Sequence, residues 1–384
     1  MTMNNPLGLY LHIPFCVRKC AYCDFCSIGG ADRDLVERYA SAICREISAA
    51  TRAANGREVT SLFFGGGTPT YLPIDQIARI MGALRENFAI AADAEITIEA
   101  NPGTVNRRSL EELLEMGFNR ISIGVQSFCD GELAALGRIH TADEAETCVL
   151  DARAAGFRNI NVDLMYAIPH QSRESFRESL RRALSLGVEH ISAYSLIIEP
   201  GTPIGDRLDE YAAYLPDEDT ELGMYEDAVA FLGDGGYDHY EISNYAHKGR
   251  ECRHNMLYWS CGDYIGLGVA ASSYFGGVRY KNTESIEEYV AHSRKCHPIA
   301  PCESEEISPD EREREYVMLS LRTARGVREE NFRRRFGQGF YERYRERIEA
   351  IRAQDARLLV IDRDGVRLTD RGLYLSNSVI NTIV

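Results

Sequence analysis

Three closely spaced cysteines near the amino terminus constrain this chain more than any other feature. Cys16, Cys20 and Cys23 form a C-x3-C-x2-C array just after an apolar run, residues 7–13, which predicts a buried strand. Thiolates are soft ligands that suit zinc and iron–sulfur clusters. A closed structural site uses four ligands, so three cysteines on a [4Fe–4S] cluster leave one iron open, as metal-centred catalysis requires.

Other interpretations of these thiols stay open. Cys26 adds a fourth thiol, so the four cysteines could close a structural zinc site. Cys23-x-x-Cys26 alone could form a redox pair. Zinc motifs usually space their ligands as two separated pairs, which this array does not, so we favour a cluster with Cys26 dispensable.

Length and charge limit the class of protein. A chain of 384 residues can form two domains, or one large domain with an appendage. The net charge of −15 argues against nucleic acid or an anionic membrane surface as the main partner. An odd number of cysteines without a disulfide-rich layout indicates a reducing compartment, and no apolar run predicts a leader or transmembrane segment. We therefore expect a cytoplasmic protein.

Strand-like and helical runs alternate up to about residue 200. The predicted strands are residues 7–13, 59–64, 95–100, 120–125, 159–165 and 190–196, and the predicted helices are residues 32–53, 74–88, 108–116, 142–155 and 172–186. Apolar, β-branched strands that alternate with helices predict a parallel sheet covered by helices. Either an open doubly wound sheet or a barrel fits this pattern.

Polar or glycine-rich residues follow each predicted strand. They are the cysteine array, the segment 65–69, Glu99, Gln126, Asp163 and Glu199. Because the carboxyl ends of parallel strands share one face, these residues predict a single site there. Gly65, Gly66 and Gly67 would let the backbone approach a ligand closely, although a glycine run alone is usually only a turn.

The cysteine array, with the aromatic Tyr22 before Cys23, resembles the signature of radical S-adenosylmethionine (SAM) enzymes. The flanking H-I-P-F-C and Y-C-D-F segments resemble the oxygen-independent coproporphyrinogen III oxidase-like family, and within it the heme chaperone branch. The resemblance implies a partial six-stranded (β/α) barrel and a [4Fe–4S] cluster on the three cysteines, whose open iron chelates S-adenosylmethionine. It also implies an electron donor such as flavodoxin or ferredoxin, and cleavage of the cofactor to a 5′-deoxyadenosyl radical.

The family's cofactor contacts map onto this sequence one residue at a time. The matching residues are Tyr10, Gly66, Gly67, Thr68, Glu99, Gln126, Arg138 and Asp163. The glycines and Thr68 belong to G-G-G-T-P, which is similar to the family's motif for the methionyl amino group. A carboxylate suits ribose hydroxyls, and Arg138 suits the cofactor's carboxylate. Taken alone, Asp163 could equally be a helix cap or a salt-bridge partner.

Beyond residue 200, H-N-x-x-Y-W, which begins at His254, resembles a segment of the heme chaperone branch. A histidine beside aromatic rings could ligate heme. The alternative is a hydrogen-bonded structural histidine on a loop. Residues 266–274 resemble the family's G-x-G-x-G-A-H-S segment, but Ala270 replaces a glycine and Ser272 replaces the histidine. These departures put a heme or substrate role for that second histidine in doubt.

The carboxyl-terminal part, residues 301–384, predicts a small α+β winged-helix-like domain after a radical SAM core of residues 1–300. Residues 303–314 predict a polar linker that leads into a helix with Ser308 as its N-cap and Glu311 closing a capping box. A helix at 340–354 and a β-hairpin at 358–368 with an Asp-Gly turn follow. Arginines and acidic residues balance in this domain, so we expect no nucleic-acid partner.

Two functions compete. The resemblance favours a heme chaperone that binds heme and delivers it to apo-hemoproteins. The alternative is the oxygen-independent coproporphyrinogen III oxidase, which converts two propionates to vinyl groups. Oxidases continue the third cysteine as Cys-Gly-Cys and have a longer amino-terminal arm, whereas here Asp24 and Phe25 follow Cys23. We expect no coproporphyrinogen III dehydrogenase activity, while the sequence leaves cleavage of S-adenosylmethionine open. A zinc-stabilised binding module is the third, least favoured class.

Overall fold

The structure, a computed structural model, describes residues 6–293 and 303–384. The strands are β1 (Leu7–Ile13), β2 (Phe15–Cys16), β3 (Ile28–Gly29), β4 (Glu58–Gly66), β5 (Ala89–Ala100), β6 (Arg120–Gln126), β7 (Ile160–Tyr166), β8 (His190–Ser195), β9 (Asp238–Glu241), β10 (Asn244–Ala246), β11 (Asp263–Leu267), β12 (Ser272–Phe275), β13 (Val278–Lys281), β14 (Glu303–Glu306), β15 (Val327–Arg328), β16 (Leu359–Asp362) and β17 (Gly365–Leu368).

The α-helices follow the same order along the chain. They are α1 (Arg33–Ala54), α2 (Ile74–Asn87), α3 (Arg107–Glu115), α4 (Asp130–Ala135), α5 (Ala142–Ala155), α6 (Arg173–Ser185), α7 (Leu208–Tyr211), α8 (Glu218–Asp234), α9 (Arg253–Trp259), α10 (Ile286–His292), α11 (Pro309–Leu321), α12 (Glu329–Phe336), α13 (Phe340–Gln354), α14 (Asp370–Tyr374) and α15 (Ser376–Ile383). Short 3-10 turns occur at Pro69–Tyr71, Gly205–Arg207 and Ala212–Tyr214.

A 12-stranded sheet, in the order β14-β13-β12-β11-β1-β4-β5-β6-β7-β8-β10-β9, forms the body of the molecule. Its centre, from β11 to β8, is parallel, and antiparallel strands extend both edges. Within the described residues the edge strands β14 and β9 do not pair with each other, so the barrel stays open. The partial α/β barrel expected from the sequence is confirmed.

All six predicted parallel strands are present, and their helices lie between them in sequence. The strands alternate with α1, α2, α3, α5 and α6, whose bounds lie close to the predicted ones. Leu9, Leu62, Ile98, Ile121 and Val162 are fully buried, one from each of five neighbouring strands. Burial on both faces explains why these strands read as apolar runs rather than as alternating ones.

The sheet includes strands that the sequence did not predict, among them β11 and β14. β11 adds a further parallel strand beside β1, with Leu9 opposite Ile265, because the chain returns to that edge after the barrel. The segment Glu303–Glu306, predicted as a linker, is instead the exposed edge strand β14, which pairs with β13. Its polar composition misled the prediction, since charged side chains also protect sheet edges.

The carboxyl-terminal residues build a second, smaller core. α11 begins as predicted, with Ser308 as N-cap and Glu311 completing the capping box. The three-stranded sheet β15-β17-β16 packs with helices around Val317, Phe332 and Ile348. This order of helices and hairpin agrees with the winged-helix-like expectation. The expected boundary at residues 300 and 301 lies outside the described residues.

No helix within residues 6–293 and 303–384 combines the length and the apolar character needed to cross a bilayer.

Candidate functional site

A cavity of about 330 Å3 opens at the carboxyl ends of the parallel strands. It brings together ten of the residues singled out in the sequence: Cys16, Cys20, Cys23, Gly66, Gly67, Thr68, Glu99, Gln126, Arg138 and Asp163. These residues come from the loops and strand ends of β2, β4, β5, β6 and β7, and from the segment after α4. Their convergence follows from the common direction of the strands, as expected.

The three predicted cluster thiols line one side of this cavity. Cys16 ends β2, and Cys20 and Cys23 follow in the next loop, where the Cys23 N–H donates to the Cys20 carbonyl at 3.3 Å. The Thr68 hydroxyl lies 3.5 Å from Cys16 Sγ, and Arg138 Nη1 lies 3.4 Å from Cys20 Sγ. Donors placed on two sulfurs are suited to stabilising thiolates.

The electrostatics of these thiols are consistent with metal binding. Burial raises the pKa of Cys16 and of Cys23, so a thiolate there needs nearby positive charge such as iron or the guanidinium of Arg138. Three cysteine thiolates on one side of a cavity are a donor set that would suit a [4Fe–4S] cluster.

Cys26, the fourth thiol that a closed structural zinc site would need, lies apart from the other three. It does not line the cavity, and its thiol donates to the Glu284 carbonyl at 3.4 Å. The cavity wall therefore includes three of these thiols, one fewer than a closed site uses.

The glycine segment brings the end of β4 close to the cysteine loop. Gly66 has φ of 108°, and a Cβ there would lie 2.6 Å from the His12 ring. A Cβ on Gly67 would lie 2.8 Å from the Phe15 carbonyl and 3.0 Å from Cys16 Sγ. The glycines are therefore required for packing against the cluster loop, in addition to any ligand contact.

Two partly buried carboxylates face the cavity. Glu99 accepts a hydrogen bond from the Gly66 N–H at 3.2 Å, and burial, with a contribution from nearby Asp163, raises its pKa to about 8. Asp163 accepts from Asn161 at 2.7 Å and from Ser122 at 3.2 Å, and burial raises its pKa as well. Asp163 is therefore held in a polar network at the cavity wall instead of capping a helix.

Gln126 lies at the end of β6 with φ of 68°, in the left-handed region that non-glycine residues seldom adopt. Its side-chain oxygen accepts a hydrogen bond from the Tyr194 hydroxyl at 2.8 Å. Strained backbone of this kind is typical of ligand-binding positions.

The Arg138 side chain is held by hydrogen bonds to residues that the sequence prediction did not select. Its Nη2 donates to Asn101 Oδ1 and to the Gly124 carbonyl, each at 2.6 Å, and Asn101 Nδ2 donates to the Thr68 hydroxyl at 2.7 Å. Tyr194 also lines the cavity. The sequence prediction did not select Asn101 or Tyr194. Their positions could have indicated the site, since Asn101 directly follows β5 and Tyr194 lies near the end of β8.

Tyr10, which was expected to pack near the cofactor, lies behind the cavity wall. Its hydroxyl lies 3.0 Å from His12 Nδ1, and its ring and Glu99 both lie against Gly65. Tyr10 is not among the cavity-lining residues. It supports the site through its neighbours.

The structure does not bring His254 into this cavity. The residue lies in α9, not on a loop, with 1% of its surface exposed. Its Nδ1 lies 2.9 Å from the Ser61 hydroxyl and its Nε2 lies 2.8 Å from the Tyr258 hydroxyl. Both ring nitrogens are therefore engaged by hydroxyl groups, as is typical of a buried structural histidine.

Comparison with known proteins gives consistent results along the whole chain. The Radical SAM superfamily matches residues 10–183, and the HemN C-terminal domain matches residues 307–375. The heme chaperone HemW of Lactococcus lactis is 34% identical over 378 residues, which cover 98% of this chain and 97% of that protein. The heme chaperone HemW of Escherichia coli is 43% identical over 271 residues, 71% of each chain.

A solved structure agrees with these relatives. The coproporphyrinogen III oxidase HemN from Escherichia coli, described as a radical SAM enzyme, superposes with a TM-score of 0.86 at 28% identity. The match covers 99% of this chain and 90% of that one. Heme chaperones, in contrast, match at more than 30% identity over at least 98% of this chain in Lactococcus lactis and Mycobacterium tuberculosis. The chain therefore belongs to the radical SAM superfamily and, within its HemN-like proteins, to the heme chaperone HemW family.

Proposed function

We propose that this protein is a heme chaperone, which binds heme and delivers it to apo-hemoproteins. The observation that carries the proposal is the cavity that unites Cys16, Cys20 and Cys23 with the cofactor contacts, in a chain similar to heme chaperones over 98% of its length. The radical SAM family implies a [4Fe–4S] cluster and S-adenosylmethionine. We further propose that this protein itself binds heme and passes it to apo-hemoproteins.

The residues of the cavity fall into two groups, one that would hold the [4Fe–4S] cluster and one that would bind S-adenosylmethionine. Cys16, Cys20 and Cys23 would hold the cluster, and the remaining lining residues would bind S-adenosylmethionine, with Arg138 for its carboxylate and Glu99 and Asp163 for its amino and ribose groups. When bound and reduced by an external electron donor, the cluster would supply the electron that cleaves the cofactor's sulfonium bond. The two carboxylates and the guanidinium are partly buried in the cavity wall, which strengthens their charge-assisted contacts.

The segment after the third cysteine favours the chaperone over the oxidase. Phe25 lines the cavity and is 63% exposed, so an apolar ring stands at the cavity mouth. The oxidase-like pattern has Gly-Cys where this chain has Asp24 and Phe25. An exposed aromatic ring suits contact with a flat apolar ligand or a partner protein. Similarity to the oxidase structure at 28% identity supports the shared fold and keeps that activity as the alternative.

An electron donor such as flavodoxin or ferredoxin would dock beside the cluster loop. Val17 and Ile139 are 49% and 53% exposed, and with Arg18 they line one shallow depression next to Cys20. Exposed apolar side chains beside a basic one suit an acidic redox partner.

One anaerobic preparation can test the proposal. The protein is reconstituted with iron and sulfide, and three quantities are measured: heme binding by absorbance, 5′-deoxyadenosine release by chromatography, and protoporphyrinogen formation from coproporphyrinogen III. We expect stoichiometric heme binding, transfer of that heme to an added apo-hemoprotein, and no protoporphyrinogen. Formation of protoporphyrinogen would establish the oxidase instead, and an absence of heme binding would exclude the chaperone.

A further inference from the structure

We propose that Asn161, His190 and Tyr240 are positioning residues, a buried hydrogen-bond chain that orients the Asp163 carboxylate toward S-adenosylmethionine. This inference rests on the proposed binding of that cofactor in the cavity. Asp163 lines the cavity, and the other three residues lie behind it, outside the cavity lining. Asn161, His190 and Tyr240 are 2%, 0% and 8% exposed, so solvent does not supply their hydrogen-bond partners. These four residues are here called the Tyr240–Asp163 chain.

Each hydrogen bond of the Tyr240–Asp163 chain has one direction. The Cys252 N–H donates to the Tyr240 hydroxyl oxygen at 3.2 Å, so the hydroxyl directs its own hydrogen to His190 Nε2, 2.7 Å away. With Nε2 as the acceptor, a neutral His190 ring carries its proton on Nδ1, which donates to Asn161 Oδ1 at 2.5 Å. The Asn161 amide nitrogen then donates to Asp163 at 2.7 Å. Every donor in the chain therefore points toward the carboxylate.

The histidine in the middle of the chain is held in its neutral form. Burial, together with the nearby Arg120 guanidinium, lowers the pKa of His190 well below its usual value. A neutral imidazole accepts at one nitrogen and donates at the other, as the chain requires, whereas a protonated ring would donate at both. Successive hydrogen bonds in a buried chain polarise one another, so the Tyr240 hydroxyl strengthens the donation that reaches Asp163.

Both ends of the chain are anchored. At the cavity, Asp163 Oδ1 accepts from Asn161 and Oδ2 accepts from the Ser122 hydroxyl at 3.2 Å, so donors on both oxygens fix the carboxylate plane. The remaining lone pairs of Asp163 are then left for a ligand in the cavity. At the other end, the Tyr240 carbonyl accepts from the N–H of Ala324, in the carboxyl-terminal domain, at 2.9 Å. A fixed tyrosine thus determines where the chain begins.

The test removes the hydroxyl at the start of the chain. Tyr240→Phe keeps the ring, and Tyr237→Phe is the matched control, because Tyr237 is also buried and its hydroxyl donates to the Val188 carbonyl, outside the chain. The full-length proteins are reconstituted anaerobically with iron and sulfide and titrated calorimetrically with S-adenosylmethionine. We expect Tyr240→Phe to weaken the affinity about three- to tenfold, the effect of one neutral hydrogen bond, and the control to equal the wild type. Urea unfolding shows that each variant is folded.

A double-mutant cycle distinguishes positioning of Asp163 from a general loosening of the fold. In an Asp163→Ala background, Tyr240→Phe should have no further effect on affinity, because the chain then has no carboxylate to orient. An equal loss in that background, or wild-type affinity in folded Tyr240→Phe, would overturn the inference and leave the cavity assignment standing. His190→Leu, which interrupts the chain, should behave as Tyr240→Phe does and replaces it if that variant does not fold. A wild type that binds no S-adenosylmethionine would overturn both.

Discussion

The side-chain oxygen of Asn101 accepts a hydrogen bond from Arg138 Nη2 at 2.6 Å. The amide nitrogen of the same Asn101 donates to the Thr68 hydroxyl at 2.7 Å. Arg138 and Thr68 in turn lie beside Cys20 Sγ and Cys16 Sγ. One asparagine therefore orients the polar groups next to two of the three predicted cluster thiols, and it does so without touching either sulfur.

Asn101→Ala should free the side chains of Arg138 and Thr68 and weaken S-adenosylmethionine binding about ten- to a hundredfold. This is the effect of losing a charge-assisted hydrogen bond worth roughly 1.5–3 kcal/mol. Calorimetric titration of the reconstituted protein measures this, and the electron paramagnetic resonance (EPR) spectrum of the reduced cluster should change. Asn331→Ala, which breaks a similar Asn–Arg contact with Arg334 in α12, is the matched control. Equal affinities in both variants would remove Asn101 from the site.

Alanine at Cys16, Cys20 or Cys23 should abolish the EPR signal of the reduced cluster, because each thiol lines the cavity. Cys26→Ala should retain the signal, since Cys26 contacts Glu284 instead. Metal analysis accompanies each spectrum. Loss of the signal in Cys26→Ala, or stoichiometric zinc in the wild type, would contradict this ligand assignment.

The affinity for S-adenosylmethionine should rise with pH up to about 8, because the raised pKa of Glu99, about 8, leaves its carboxyl protonated below that pH in the free protein. Binding the cofactor's cationic amino group favours the carboxylate and releases the proton, so affinity increases by at most about tenfold per pH unit. Calorimetry between pH 6 and 8 measures the slope. Glu99→Gln keeps the cofactor's own titration but should flatten the slope, and an equal slope in the variant would contradict the assignment.

His254→Gln should change the pH dependence of the free energy of unfolding and leave the Soret band of bound heme unchanged. Burial, with nearby Arg120, lowers the pKa of His254 to about 3 in the folded protein. Because the unfolded chain binds this proton near pH 6.5, stability falls as the pH drops from 6.5 toward 3, by about 2 kcal/mol between pH 7 and 5. Urea unfolding at both pH values should show a smaller loss in the variant. A shifted Soret band in His254→Gln would instead favour ligation by this histidine.

Ala270→Gly should stabilise the protein by about 0.5–1 kcal/mol. Ala270 stands where the family's segment has a glycine, and its φ of 56° lies in the left-handed region that costs an alanine roughly 1–2 kcal/mol. Part of this gain is lost to the greater freedom of glycine in the unfolded chain. Ala271→Gly, at a fully buried neighbour outside that region, should destabilise, and urea unfolding distinguishes the two.

Local patterns were sufficient to predict the parallel core and most of the cavity. Strand ends such as Glu99 and Gln126 could be placed because the direction of parallel strands decides which residues converge. Asn101 and Tyr194 also lay at such ends, but nothing in a single sequence distinguishes a lining residue from a neighbour one position away. The backbone strain at Gln126 likewise has no local sequence signal.

Contacts between residues that are distant in sequence could not be predicted from local patterns. The pairing of β11 with β1 depends on where the chain returns, and the environment of His254 depends on Ser61 from a strand far away in sequence. A histidine beside aromatic residues looks the same in sequence whether it faces solvent or the barrel interior. Burial distinguishes these two environments, and burial is a property of the assembled fold.

The pairing of β1 with β11 also has a consequence for how the protein is made. One edge of β1 pairs with β4, but the other pairs with Asp263–Leu267, which is synthesised only after the other parallel strands. Until then an apolar strand edge next to the cysteine loop stays open to other chains. In a nascent chain that lacks β11, the sheet beside the cysteine loop is incomplete. We therefore expect stable insertion of the cluster only after β11 has been synthesised.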